Sequence, residues 1–310
     1  MRLRRTLAVG AVAAAAIVAT TAFAFPSTPV DRAQPLPALT APALAARYAA
    51  DSRLIAHAAR AAGRAGNQPL ARALQAMHGR HFLDFNPAGQ GLAVEVVGNL
   101  AQASRVAILV PGSDTSLTTF DSRGSASPGG AARALAAQAL RLDPGAHLAI
   151  IAWLGYADPS TLSPAVMTSG DAGQGASALR PLVDDLARHG DQVTLICHSY
   201  GSVVCGLAAP RLPVTDIAVI GSPGMDASSV KALHTAARVW AGRGTGDWIR
   251  DVPHVQFLGL GFGQDPMDPA FGARIFDCGG GGHSDYFRPG AVALRNLAYI
   301  ALGDPAWVTR

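Results

Sequence analysis

The stretch TLICHSYGSVV, Thr194 to Val204, puts a single serine between an apolar run and a run of small residues. A strand that turns at once into a helix forces its turning residue into a strained backbone conformation. It also needs small residues two before and two after, so that strand and helix can approach. Cys197 and Gly201 hold those places, which makes Ser199 the candidate nucleophile, with the NH of Tyr200 at the helix start facing a developing oxyanion. A serine hydroxyl needs a base, and the base needs a carboxylate to fix its tautomer. GGGGHSDYF supplies His283, on a four-glycine loop able to swing an imidazole toward the serine, after the short apolar run RIF and before a final helix expected from Pro289. His198 is the weaker base, because its side chain leaves the turn in another direction. The acid is expected on the glycine-rich loop after a strand at 238–241, where GRGTGDWIRDVP carries Asp247; Asp226 in GSPGMD and Asp251 are its rivals. A second oxyanion donor is expected in PGSDT, where Gly112 permits close backbone approach and Ser113 offers its NH, with Asp114 the alternative.

Other constellations carry less. His78 and His81 are spaced as a metal pair, but no cysteine or carboxylate pattern completes a site, and no metal is expected. Asp265 and Asp268 read as turn formers rather than calcium ligands. GLGFGQDP lacks the spacing of a dinucleotide loop, and GRGTGD lacks the lysine and serine of a phosphate loop, so both read as turns and no cofactor is called for. Cys197, Cys205 and Cys278 are odd in number and are read as small buried side chains.

These residues need elements to hold them. HFLDF and LAVEVV read as an opening antiparallel pair. RVAILV, HLAIIAW, QVTLIC and DIAVI are continuous apolar runs, as strands covered on both faces would be. Helices are expected between them at 131–142, 176–189, 200–209 and 228–236. Such alternation predicts an α/β chain with a mostly parallel central sheet flanked by helices, and sites at the carboxyl ends of its strands. The long segment 157–177 leaves from that edge, so it is expected to cover the pocket with Leu162, Val166 and Met167.

Upstream, Thr40 and Gly63 bracket one helix, and Asn67 and Gly79 another. The extreme N-terminus, MRLRR followed by an apolar run to Phe25, reads as an export signal over 1–24 with a small-residue cleavage site at AFA, or as an uncleaved anchor. Its removal takes three arginines and no acid from a formal charge of +4, leaving +1. With one lysine in 310 residues and no basic cluster, the chain has no electrostatic footprint for nucleic acid. The resulting division is an export signal at 1–24, a proline-rich tether at 25–42, a helical extension at 43–79 and the main domain at 80–310.

LVPGSDT, WLGYADPS, CHSYGS, VIGSPGMD, GDWI and GGHSDYF, in that order between Phe82 and Leu302, resemble the α/β-hydrolase superfamily, and within it an uncharacterised bacterial family. The order Ser199, Asp247, His283 is that superfamily's triad order. That family's elbow reads glycine-histidine-serine-tyrosine-glycine, so Cys197 is a departure. A segment resembling its histidine-glycine-x-aspartate-proline loop reads FGQDP, with Phe262 first. The resemblance implies an α/β-hydrolase fold and a triad but no substrate. The expected activity is that of a secreted or surface-associated serine hydrolase on a small-molecule or lipid ester, with cell-envelope association. A peptidase or acyltransferase on the same triad, and a binding module without catalysis, are the alternatives.

Overall fold

The computed structural model describes residues 35–157, 159–161, 168–252 and 261–310. The expected export signal, and Leu162, Val166 and Met167 of the proposed pocket cover, lie outside the described residues. Among the described residues, no helix is long and apolar enough to cross a membrane.

Among the described residues, eight strands form one sheet: β1 (His81–Asn86), β2 (Leu92–Val97), β3 (Arg105–Val110), β4 (Leu148–Leu154), β5 (Gln192–His198), β6 (Asp216–Ile220), β7 (Arg238–Gly242) and β8 (Arg274–Ile275). Their spatial order is β1-β2-β4-β3-β5-β6-β7-β8. β2 runs antiparallel to both β1 and β4, and every later pairing is parallel. The continuous apolar runs are explained by covering on both faces. Along β3, Val106, Ile108 and Val110 enter one core while Ala107 and Leu109 enter the other, as the period of two requires. The first core is closed by α4 (Gly170–Arg188) and α5 (Gly201–Ala208) through Leu179, Val183 and Val203; the second is closed by α3 (Pro128–Leu142) and α6 (Val292–Leu302) through Leu135, Leu294 and Leu297.

Two further helices, α1 (Ala41–Arg64) and α2 (Gln68–Ala76), precede the sheet. α1 packs along β1 and α2. Asn67 accepts a hydrogen bond from Leu70 NH at 3.2 Å, whereas Thr40 sits at the α1 N-cap without a side-chain bond.

Three helix expectations are corrected. The helix expected at 228–236 is a single 3₁₀ turn, Lys231–Leu233. Ser229 and Thr235 hydroxyls accept from Ala232 and Ala237 NH, and these local bonds compete with a helical ladder. α4 begins at Gly170, six residues before the expected Ala176. Its early glycines hide the helical pattern in the sequence, yet a Cβ at Gly175 would sit 3.1 Å from Tyr156 and Val204, so glycine permits the close helix contact. Much of the expected cover over 157–177 is therefore the first two turns of α4. The last helix starts at Val292 rather than Pro289.

Candidate active site

β5 enters α5 through Ser199, whose φ of +53° lies in the left-handed region. The turn is held on both sides: Ser199 NH donates to Ile220 O of β6 at 3.0 Å, and Ser199 O accepts from Ser202 NH at 2.9 Å. Gly201 is needed because a Cβ there would lie 2.4 Å from Pro111 O. The other small residue, Cys197, is buried as expected and is disulfide-bonded to Cys205 of α5, a pairing the sequence left open; Cys278 is free and buried.

His283 Nε2 lies 3.0 Å from Ser199 Oγ. Its Nδ1 reaches both oxygens of Asp247, at 2.9 and 3.0 Å. Ser199, His283 and Asp247 thus form one hydrogen-bonded chain. With the proton on Nδ1, Nε2 is left to accept the serine hydroxyl. The base does not depend on a swinging loop. The GGGG segment packs backbone to backbone against the loop carrying Asp247, where a Cβ at Gly244 would lie 2.1 Å from Gly281 O. Thr245 NH donates to Gly279 O across the same seam.

Asp247 is fully buried. Burial pulls its pKa upward, but hydrogen bonds from His283, Tyr286 OH and Ile249 NH outweigh this and hold the carboxyl below the ordinary aspartate value. The rivals are engaged elsewhere: Asp226 accepts from Ser169 Oγ at 3.2 Å, and the exposed Asp251 faces Arg250 at 3.8 Å. His198 donates from Nε2 to His283 O at 2.8 Å, bracing the base loop from below. Its ring keeps a partly exposed edge, yet desolvation, followed by the neighbouring His283, pushes its pKa down to about 3, so it stays neutral.

The PGSDT loop meets the elbow directly, since a Cβ at Gly112 would lie 2.7 Å from Ser199 Cβ. Ser113 and Tyr200 both line the cavity that holds Ser199 and His283. Asp114 NH is spent on Pro159 O at 3.3 Å, which leaves Ser113 the better-placed donor of the two. The Tyr200 side chain turns away, donating to Thr168 O and accepting from Ala172 NH at the start of α4. The cavity encloses about 370 Å³, with Leu109, Ala131 and Ile196 among its apolar walls and Trp248 beside His283.

The profile of a family described as alpha/beta hydrolase matches residues 86–257. The chain belongs to the alpha/beta hydrolase family. The match covers Ser199 and Asp247 and ends before His283, whose candidacy as the base rests on the geometry alone. The family match supports hydrolase activity. Uncharacterized protein Rv2079 of Mycobacterium tuberculosis (strain ATCC 25618 / H37Rv) is 31% identical over 251 residues, 69% of this chain. The chain spans 37% of that relative's length. Solved structures similar to this hydrolase-family chain include esterase PE8, at a TM-score of 0.44 and 14% identity over 67% of this chain and 97% of that one. Another is XC6422 from Xanthomonas campestris, described as an a/b serine hydrolase without lid, at 0.42 and 16% identity over 74% and 96%.

Several participants escaped the sequence reading. Tyr286 follows His283 by three residues, a spacing that would have signalled a shared turn, and its hydroxyl donates to Asp247 Oδ2 while accepting from Gly244 NH. Gly221, at φ +54°, leaves room for the pair: a Cβ there would lie 2.9 Å from Asp247 Oδ2 and 3.0 Å from His283 Nδ1. Two of the side chains set aside above as metal or calcium ligands have other partners. His81 stacks on Tyr48 at 4.5 Å, and Asp265 pairs with Arg243 at 2.9 Å. Among the described residues, no cluster of three or more His, Cys, Asp or Glu side chains could hold a metal.

Proposed function

We propose that the protein is a serine hydrolase that cleaves carboxylic esters through an acyl-enzyme on Ser199. The observation that carries this reading is the unbroken hydrogen-bonded chain from the strained Ser199 through His283 to buried Asp247, opening on an apolar cavity. Ser199 Oγ attacks the ester carbonyl while His283 Nε2 takes its proton. Asp247 keeps the imidazole in the required tautomer and stabilises the imidazolium, and the NH groups of Tyr200 and Ser113 hold the oxyanion. The proton then passes to the departing alcohol, and water, activated by the same imidazole, releases the acid. An ester asks least of this machinery, and the apolar walls Leu109, Ala131 and Ile196 suit an acyl chain. The arginine-led apolar N-terminus supports action outside the cell or at its envelope.

A fluorophosphonate probe tests the reading. The folded wild type is expected to be labelled and Ser199→Ala to lose the label. A folded wild type that resists labelling would favour a binding module and overturn the enzymatic reading.

A further inference from the structure

The imidazole that receives the serine proton must also deliver it to the leaving oxygen, so that oxygen has to come within hydrogen-bond distance of His283 Nε2. Whatever flanks the His283 ring on the cavity side therefore flanks the leaving group. Trp248 does so: its ring centroid lies 4.7 Å from that of His283 at a tilt of 43°, and it lines the same cavity as Ser199. The indole is nevertheless 51% exposed, while its chain neighbours Asp247 and Ile249 are buried. Leu54, Leu140 and Trp307, the other large apolar side chains left exposed among the described residues, line no part of this cavity. Among the described residues, Trp248 thus joins a broad apolar face, largely open to water, to the wall of the cavity beside His283, where a bound ligand would lie against it.

Resting on the reading of Ser199 as an acyl-forming nucleophile, we propose that Trp248 binds the leaving alcohol and selects alcohols that present a ring face for stacking, the π face of an aromatic or the C–H face of a sugar. In the first step, the bond from Ser199 Oγ to the carbonyl carbon forms and the bond from that carbon to the alcohol oxygen breaks. The serine proton travels through His283 to that oxygen, and the neutral alcohol departs across Trp248. In the second step, water cleaves the acyl-serine bond, giving the acid and restoring the serine proton. No alcohol is present in this step, so Trp248 contributes to acylation and not to deacylation.

The test uses the full-length protein and three butyrate esters that share one acyl-enzyme: phenyl, 6-O-glucosyl and n-propyl. Trp248→Ala is expected to lower kcat/KM for the ring alcohols roughly 2- to 10-fold, the scale of one lost ring contact. The propyl ester should change less than about 2-fold, and the deacylation rate of the butyryl-enzyme, read by stopped flow, should not change. Trp248→Phe should recover most of the phenyl rate. Loss confined to the phenyl ester assigns an aryl alcohol, and loss confined to the glucosyl ester assigns a sugar. Equal losses on all three esters, or slowed deacylation, would mean that Trp248 acts by positioning His283 and would overturn the proposal. Wild-type labelling at Ser199 separates that failure from failure of the hydrolase reading itself.

Discussion

Removing the Cys197–Cys205 bridge is expected to destabilise the fold by about 2.5 kcal/mol. The bond ties the end of β5, two residues before Ser199, to α5 across a sequence separation of eight, and both cysteines are fully buried. For so short a loop, the chain-entropy relation gives about 2.5 kcal/mol at 25 °C, near the low end for disulfides, because little unfolded-state freedom is lost by closing it. Cys197→Ala/Cys205→Ala should therefore shift the urea midpoint with an unchanged slope and lower Tm by roughly 5 °C. Wild type unfolded and refolded in reductant should match the double variant, while native wild type in reductant should keep its midpoint for as long as the buried bond stays closed. Activity per folded molecule should remain close to wild type, since Ser199 is still fixed by Ile220 O, Ser202 NH and the seat of Gly201 against Pro111. Cys197→Gly loses the same bridge and adds strand flexibility, so it should be less stable than the alanine pair. A double variant within about 0.5 kcal/mol of wild type would refute the entropic argument. A well-folded variant that loses its activity would refute the independence of the elbow from the bridge.

Three further perturbations test the site and its setting. Asp247→Asn should lower turnover by about four orders of magnitude with the fold kept, while Asp226→Asn stays near wild type; steady-state kinetics of both decide the assignment, and the reverse pattern defeats it. Tyr286→Phe removes a donor from Asp247 and the acceptor for Gly244 NH, so kcat/KM should fall several-fold and stability by about 1–3 kcal/mol, and unchanged values would leave this hydroxyl without a role. Asp51, buried on α1, has a carboxyl raised to about 6 by desolvation, offset in part by Arg47. The folded state therefore holds its proton between the unfolded value near 4 and about 6, and stability falls as pH rises through that window. Asp51→Asn should then stabilise the protein at pH 7.5 by up to about 3 kcal/mol and by little at pH 4, as read from denaturation at the two pH values.

The parts legible in the sequence are those whose physics is local. A strand buried on both faces needs an uninterrupted apolar run, so β3 to β6 announce themselves, and the strand–serine–helix turn carries its own spacing rule. What failed was decided by three-dimensional packing that a linear pattern does not carry. The pairing of Cys197 with Cys205 depends on how α5 folds back over β5, which an odd cysteine count does not reveal. The glycines of α4 and of the 279–282 loop look like flexibility in one dimension, yet in the fold they permit close packing, against Tyr156 and Val204 in one case and against the Asp247 loop in the other. The roles of Tyr286 and Gly221 exist only once the acid and base loops meet above the sheet.

Backbone strain alone would not have singled out Ser199 as the candidate nucleophile. Among the described residues, Asp114, Arg211, Asp226 and His234 also have positive φ, and none of them is glycine. Arg211 and His234 sit before β6 and β7, at the amino ends of those strands, where Arg211 NH donates to His234 O in a plain loop contact. Asp114 and Asp226 lie at the functional edge, but their carboxylates are engaged by Thr161 NH and Ser169 Oγ. Ser199 differs because its strain is braced by a neighbouring strand, its hydroxyl meets an imidazole, and that imidazole is oriented by a carboxylate with two further donors. A left-handed serine costs on the order of 1–3 kcal/mol and persists only where its surroundings fix it. Here a β6 carbonyl and a glycine seated on β3's loop hold the turn, and the outcome is a hydroxyl placed 3.0 Å from the His283 imidazole before any substrate arrives.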